Sequence, residues 1–242
     1  MIVANWKMNG SKDDVSSWIK FVNKEVKFDD EKPCVFCPPS CYLDFSCLLI
    51  KETSSPITLG SQNINHKKGS ALTGGIDSKM LSEFLTQYVL IGHSEQRETF
   101  NETNEILHSK LSAALKEDIS PIFCIGEPLE VKQKEDTEKF LSNQLEALDG
   151  VDLNGVIIAY EPIWAIGSGE NASRDYIEKI HAFVKKYCSS NLNNDAKISV
   201  LYGGSVNLSN CKEIMSSLEV DGLLIGGASL DPDIFSKIYN IS

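Results

Sequence analysis

The sequence predicts an α/β protein folded as a (β/α)8 barrel. Short apolar runs alternate with longer amphipathic stretches along the chain, the pattern of parallel βα units. The alternation occurs eight times in 242 residues, a length at which such a barrel forms one domain, here 1–242. An open dinucleotide-binding sheet would carry G-x-G-x-x-G after its first strand, whereas residues 5–10 read Asn-Trp-Lys-Met-Asn-Gly.

The expected strands are the apolar runs at 2–6, 34–37, 57–62, 88–92, 119–124, 156–160, 198–202 and 222–225. They have strand length rather than helix length. The expected helices span 13–27, 41–51, 78–85, 102–117, 137–148, 174–190, 208–218 and 232–239. Several of them announce their starts. Asn101, with Asn104 three on, is an expected N-cap. Ser173 precedes Ile177, Ile180, Phe183 and Val184, which share one helical face. Asp231-Pro232 puts proline at a first helical position.

Composition excludes several classes of function. There are 23 basic and 34 acidic residues, a formal charge of −11, and no basic block to track phosphates. No nucleic-acid partner is therefore expected. The apolar runs are strand-sized, so no membrane partner is expected either. Met1 leads directly into Ile-Val-Ala-Asn-Trp-Lys with no basic segment and apolar stretch of a secretory signal, which predicts a cytoplasmic protein. Seven scattered cysteines, an odd number, argue for reduced thiols. Cys34 and Cys37 point to opposite faces of one strand, and no histidine pair lies near them or near Cys41 and Cys47. No metal site is expected.

The chemistry is concentrated at 159–169, AYEPIWAIGSG. An apolar strand delivers Tyr160 and Glu161, Pro162 ends it, and Ile163-Trp164-Ala165-Ile166 closes on Gly167-Ser168-Gly169. A carboxylate beside an apolar, glycine-hinged loop suits a base that is desolvated on binding. A plain surface loop would not carry Trp and two Ile in the open.

In a barrel the C-terminal strand ends share one mouth. Alternation sends Asn5 and Lys7 into it and Trp6 outward, and the fourth strand ends at His93 with Glu95 two residues on. Glu161 facing Lys7 and His93 suits proton abstraction beside a carbonyl, with charge developing as an enediolate. Gly167, Gly204, Gly226 and Gly227 with Ser205 would gather backbone N–H groups for a phosphate dianion, the more so if Gly226-Gly227 opens a short helix.

NWKMNG at 5–10, GHSE at 92–95, CIGE at 124–127, AYEPIWAIGSG at 159–169, YGGSV at 202–206 and DGLLIGGASL at 221–230 resemble the triosephosphate isomerases, in family order across the chain. The resemblance implies a TIM barrel, glycolytic and gluconeogenic interconversion of two triose phosphates, and no cofactor. It implies Glu161 as base and His93 as neutral electrophile. Lys7 would hold the substrate, Asn5 would face the oxyanion, and Glu95 would orient Lys7 or relay protons. Gly167, Ser205, Gly226 and Gly227 would hold the phosphate, 162–172 would be a lid, and Cys124 would lie near the base in a structural role. The negative net charge requires a local positive field around Lys7.

The resemblance also implies a homodimer docked through the loop at 63–75, with Thr73 near Asn5 and Lys7 of the other subunit. This chain departs from the family at Gly75 (usually Glu), Gln96 (usually Arg) and Glu170 (usually Lys). Losing Glu and Arg together leaves no unpaired charge from that pair, but Glu102 then needs Gln96, water or another cation. Competing readings are another phosphate-binding barrel, such as a Schiff-base aldolase, and a binding protein that has lost catalysis. The first needs a second strand-end lysine, which no other expected strand carries. The second would show a broken catalytic set, whereas Asn5, Lys7, His93 and Glu161 are all present.

Overall fold

The computed structural model describes residues 1–66, 71–166, 171–192 and 197–242. Eight parallel strands close into a barrel in chain order: β1 Ile2–Asn5, β2 Cys34–Cys37, β3 Thr58–Ser61, β4 Thr86–Ile91, β5 Ser120–Ile125, β6 Ile157–Tyr160, β7 Ser199–Tyr202 and β8 Gly222–Ile225. Closure is made by β1 on β8, with Ile2 opposite Leu223 and Ala4 opposite Ile225.

Strand alternation divides the core into two shells. Val3, Val35, Cys37, Leu90, Ile122, Cys124, Ala159, Leu201 and Leu224 fill the barrel interior. Ile2, Ala4, Phe36, Phe123, Ile158 and Val200 face the helices. Both faces are dry, which is why these strands read as continuous apolar runs. Cys34 belongs to the outer shell and Cys37 to the inner one, as the alternation requires. Among the described residues no group of three or more metal-ligating side chains converges, and no helix is long and apolar enough to cross a membrane.

The helices are α1 Lys12–Glu25, α2 Leu43–Glu52, α3 Ser78–Glu83, α4 Ser94–Phe100, α5 Asn104–Leu115, α6 Leu129–Gln133, α7 Thr137–Leu145, α8 Arg174–Asn191, α9 Cys211–Met215 and α10 Pro232–Ile241. Ser11 and Asp14 close a reciprocal capping box on α1. Ser173 caps α8 and Pro232 opens α10, as expected.

Three expectations are corrected. Thr103, not Asn101, caps α5; Asn101 instead ends α4 in the left-handed region at φ 51°, which asparagine tolerates well. The helix expected at 208–218 contracts to α9, because the Asn207 carboxamide binds the Ser209 and Asn210 N–H groups and holds that stretch in a turn. α4 and α6 have no counterpart among the expected helices. Neither has a buried residue, so neither leaves an apolar stripe in the sequence.

Candidate active site

β1 ends at Asn5, and Lys7 follows in the left-handed region at φ 52°, rare for a residue with a side chain. Such strain persists only where its surroundings over-determine it. The Lys7 N–H donates to Asn5 Oδ1 at 3.1 Å, and the Lys7 carbonyl accepts from Gln62 Nε2 at 2.8 Å. Gln62 also donates to the Cys37 carbonyl at 2.9 Å, so one carboxamide ties the mouth ends of β1 and β2. Sequence reading placed Gln62 only as the last residue of a strand. Its one signal was a polar side chain closing an apolar run.

His93 caps α4: the Glu95 N–H donates to His93 Nδ1 at 3.2 Å. Glu161 follows β6, and its own N–H donates to the Ile125 carbonyl at 2.7 Å. Its side chain lies against Gly203, where a Cβ would sit 2.7 Å from Glu161 Cγ. His93 Nε2 and Glu161 Oε1 are 3.2 Å apart, and both residues are buried. Glu161 Oε2 is buried with no hydrogen-bond partner among the described residues.

A cavity of about 390 Å³ joins Asn5, Lys7, His93, Glu161, Ser205, Gly226 and Gly227 at one mouth. Glu95 is not on its wall. It reaches Lys7 from the solvent side, with Oε1 2.6 Å from Nζ. Gly167 lies outside the described residues.

The glycine corner is braced from below. Gly227–Leu230 form a single 3-10 turn behind Gly226. Both indoles, Trp6 at 3.3 Å and Trp18 at 2.8 Å, donate to the Ser229 carbonyl, and the Ser229 hydroxyl returns to the Gly226 carbonyl at 2.7 Å. Ser205 is engaged differently. Its N–H at 3.1 Å and its hydroxyl at 2.6 Å both donate to the Ala165 carbonyl, in the turn Ile163–Ala165.

That turn is anchored by Glu127, which follows the fifth strand. The wholly buried Glu127 carboxylate accepts from Tyr160 Oη at 3.1 Å, Trp164 Nε1 at 2.9 Å and Tyr176 Oη at 3.0 Å. Lys132 Nζ lies 3.2 Å from the Trp164 ring centroid, a cation–π contact on the indole face. Glu127 stood in the sequence only as the end of CIGE.

A family model described as triosephosphate isomerase matches residues 1–242. The chain belongs to the triosephosphate isomerase family. A triosephosphate isomerase of Aquifex aeolicus is 39% identical over 242 residues, covering 98% of this chain and 97% of that protein. One of Dehalococcoides mccartyi is 40% identical over 241 residues, with 98% and 94% covered. One of Neurospora crassa is 37% identical over 240 residues, with 98% and 95% covered.

Within this triosephosphate isomerase fold the electrostatics of the mouth can be read group by group. Burial disfavours the His93 imidazolium, but the Glu161 carboxylate beside it more than offsets this, and the His93 pKa lies above its ordinary value. Lys7 opposes that rise and Glu95 adds to it. The bond from the Glu95 N–H fixes Nδ1 as an acceptor. In the neutral ring the proton therefore sits on Nε2, facing Glu161. Burial pushes the Cys124 thiol well above its ordinary range, with the Glu161 charge adding to it, so it is no nucleophile. The arrangement offers one buried carboxylate acceptor, one imidazole N–H donor and one ammonium around a single opening.

Proposed function

We propose that this chain interconverts dihydroxyacetone phosphate and D-glyceraldehyde 3-phosphate by proton transfer through an enediolate. Glu161 takes the proton from the carbon beside the substrate carbonyl and returns it to the neighbouring carbon. His93 hydrogen-bonds the carbonyl oxygen through Nε2–H and exchanges protons with the two oxygens in turn. Lys7 and Asn5 face the oxygen on which negative charge develops, and Glu95 orients the Lys7 ammonium. The observation that carries this reading is the buried contact between Glu161 Oε1 and His93 Nε2 at 3.2 Å, at the mouth that Lys7 lines. A proton moves between adjacent carbons of one molecule, so the chemistry balances without an oxidant, a metal or an organic cofactor.

The phosphate is assigned to the corner formed by Gly226, Gly227 and Ser205, and Gly167, outside the described residues, is proposed as a further phosphate contact. Ser205 joins it by exchanging its bonds to the Ala165 carbonyl for bonds to the ligand, which couples phosphate binding to the turn at Ile163–Ala165. A coupled isomerase assay on purified protein tests the reading. Glu161→Gln keeps size and polarity but removes the proton acceptor, so turnover falls by at least about 10²–10⁴ while inorganic phosphate still binds. Turnover within tenfold of wild type would sink the assignment.

The protein is further proposed to work as a cytoplasmic homodimer, docked through the loop at 63–75. Its free cysteines suit a reducing compartment. Leu72 on that loop, Met8 and Phe100 are large apolar side chains left exposed. Light scattering over a dilution series, with Thr73→Arg as the disrupting variant, tests this. A fully active monomer at micromolar concentration would refute it.

A further inference from the structure

A second cavity, of about 370 Å³, lies between α4, the end of β5 and α7, and among the described residues it shares only Glu161 with the mouth. Its size falls in the range of small-molecule sites. Ile125, Pro128, Phe140 and Ile163 make an apolar wall, and the Arg97 guanidinium stands against it. Arg97 Nε donates to the Gly92 carbonyl at 2.7 Å and Nη2 to the Cys124 carbonyl at 2.9 Å. A guanidinium has five N–H donors, so most of its fork remains. No carboxylate among the described residues lies within ion-pairing distance of it.

Burial draws the Arg97 pKa down to about 10, with the charges of Glu102 and Glu161 opposing the fall. A partly desolvated cation with open donors beside an apolar wall lacks its natural complement, a planar anion on a carbon body. Phosphate alone would leave the wall facing water. We propose that this cavity is a second ligand site, which takes a small aromatic carboxylate: the carboxylate bridges the open donors of Arg97 and the ring packs on Phe140 and Ile163. Exposed Glu98 is, among the described residues of the lining, the one charged group besides Glu161 that opposes an anion. An occupant would sit directly behind the base, since a Cβ on Gly126 in the same lining would meet the Glu161 carbonyl at 1.8 Å. It adds negative charge there and blocks movement of Glu161, so it lowers kcat and leaves KM for the triose little changed.

The probe is 4-fluorobenzoate, followed by ¹⁹F NMR on the whole protein, with 4-fluorobenzamide as its uncharged counterpart. Binding is read directly, so it stands or falls apart from the isomerase assignment. The expected result is binding of the benzoate, undiminished by saturating inorganic phosphate, and about tenfold weaker binding of the benzamide, the loss of a charge-assisted bond. Glu98→Gln, an exposed change, tightens benzoate binding, and Phe140→Ala weakens it. Arg97→Lys, checked for folding by thermal melting, weakens it about tenfold. No binding at about 10 mM probe, where a millimolar site is filled, overturns the proposal. Equal affinity for benzoate and benzamide overturns it, as does displacement by phosphate, which would place the probe in the mouth. Indifference to both Glu98→Gln and Phe140→Ala overturns it even if Arg97→Lys fails to fold.

Discussion

Lys110 on α5 forms an ion pair with Glu102, and both side chains are almost wholly buried. The same ammonium donates to Asn63 Oδ1 at 2.6 Å, and Asn63 Nδ2 donates to Gln96 Oε1 at 2.8 Å. Lys110 is thus the other cation that Glu102 needs where the family arginine is replaced by Gln96. The replacement is incomplete, since Glu102 Oε2 remains buried without a partner among the described residues. Lys110→Met leaves a buried carboxylate uncompensated, and its expected cost is about 3–5 kcal/mol. Lys110→Met with Glu102→Leu removes both charges and recovers most of that loss. Chemical denaturation of both variants measures this, and equal stability of single and double variants would refute it.

The turn Ile163–Ala165 carries its own electrostatic clamp. Lys132 covers the Trp164 face while Glu127 takes the indole N–H. Removing the cation by Lys132→Met frees one side of the turn that also holds Ser205. A cation–π contact is worth about 0.5–2 kcal/mol, so KM for the triose rises about two- to thirtyfold, with kcat less affected. Lys132→Arg retains most of the effect. Steady-state kinetics with tryptophan fluorescence check it; an unchanged KM in Lys132→Met would mean the contact is incidental.

What the sequence made legible follows burial. Barrel strands are dry on both faces, so Val3–Ala4 or Ile158–Ala159 announce themselves, and the catalytic candidates stand out as polar residues where those runs stop. α4 and α6 bury nothing and have no such signature. Gln62 and Glu127 act through partners far along the chain, Cys37 and Tyr176 among them, and no local spacing encodes those contacts. Ser205 is legible as a polar residue at a strand end, but its bond to Ala165 depends on where the turn Ile163–Ala165 packs.

Acid sensitivity has an identifiable source in His181 on α8. It is fully buried, its Nδ1 bonds the Glu219 carbonyl at 3.2 Å, and Nε2 has no partner among the described residues. Burial lowers its pKa from 6.5 to about 4. The unfolded chain therefore takes up this proton first, and stability present above pH 6.5 is lost as pH falls toward 4. For a shift of this size the contribution is on the order of 3 kcal/mol. His93 acts with the opposite sign: its raised pKa favours the folded state at low pH and that contribution fades as pH rises through the folded value. His181→Asn, which keeps a donor for Glu219, should flatten the decline between pH 6.5 and 4. Urea unfolding across that range measures the slope, and a slope equal to wild type would exclude His181 as the cause.

Gly203, which lines the mouth, also sets the position of the proposed base, Glu161. A Cβ there would sit 2.7 Å from Glu161 Cγ and 3.4 Å from Oε1. The Glu161 backbone cannot retreat, because its N–H is bound to Ile125 and its carbonyl is packed against Gly126. The side chain must therefore absorb the clash, and its carboxylate moves relative to His93. A misplacement of about 1 Å in a catalytic group costs about 10²-fold in rate. Gly203→Ala is expected to lower kcat by one to two orders of magnitude, leave KM nearly unchanged and shift Tm by only a few degrees, roughly 1 kcal/mol of local strain. Gly204 is the control, since a Cβ there meets the Tyr202 hydroxyl at 2.2 Å rather than the base. Gly204→Ala should therefore lower stability more than Gly203→Ala relative to its effect on kcat. Steady-state kinetics with thermal melts of both variants separate the two. Wild-type kcat in a folded Gly203→Ala protein would show that the position of Glu161 is not set by this contact.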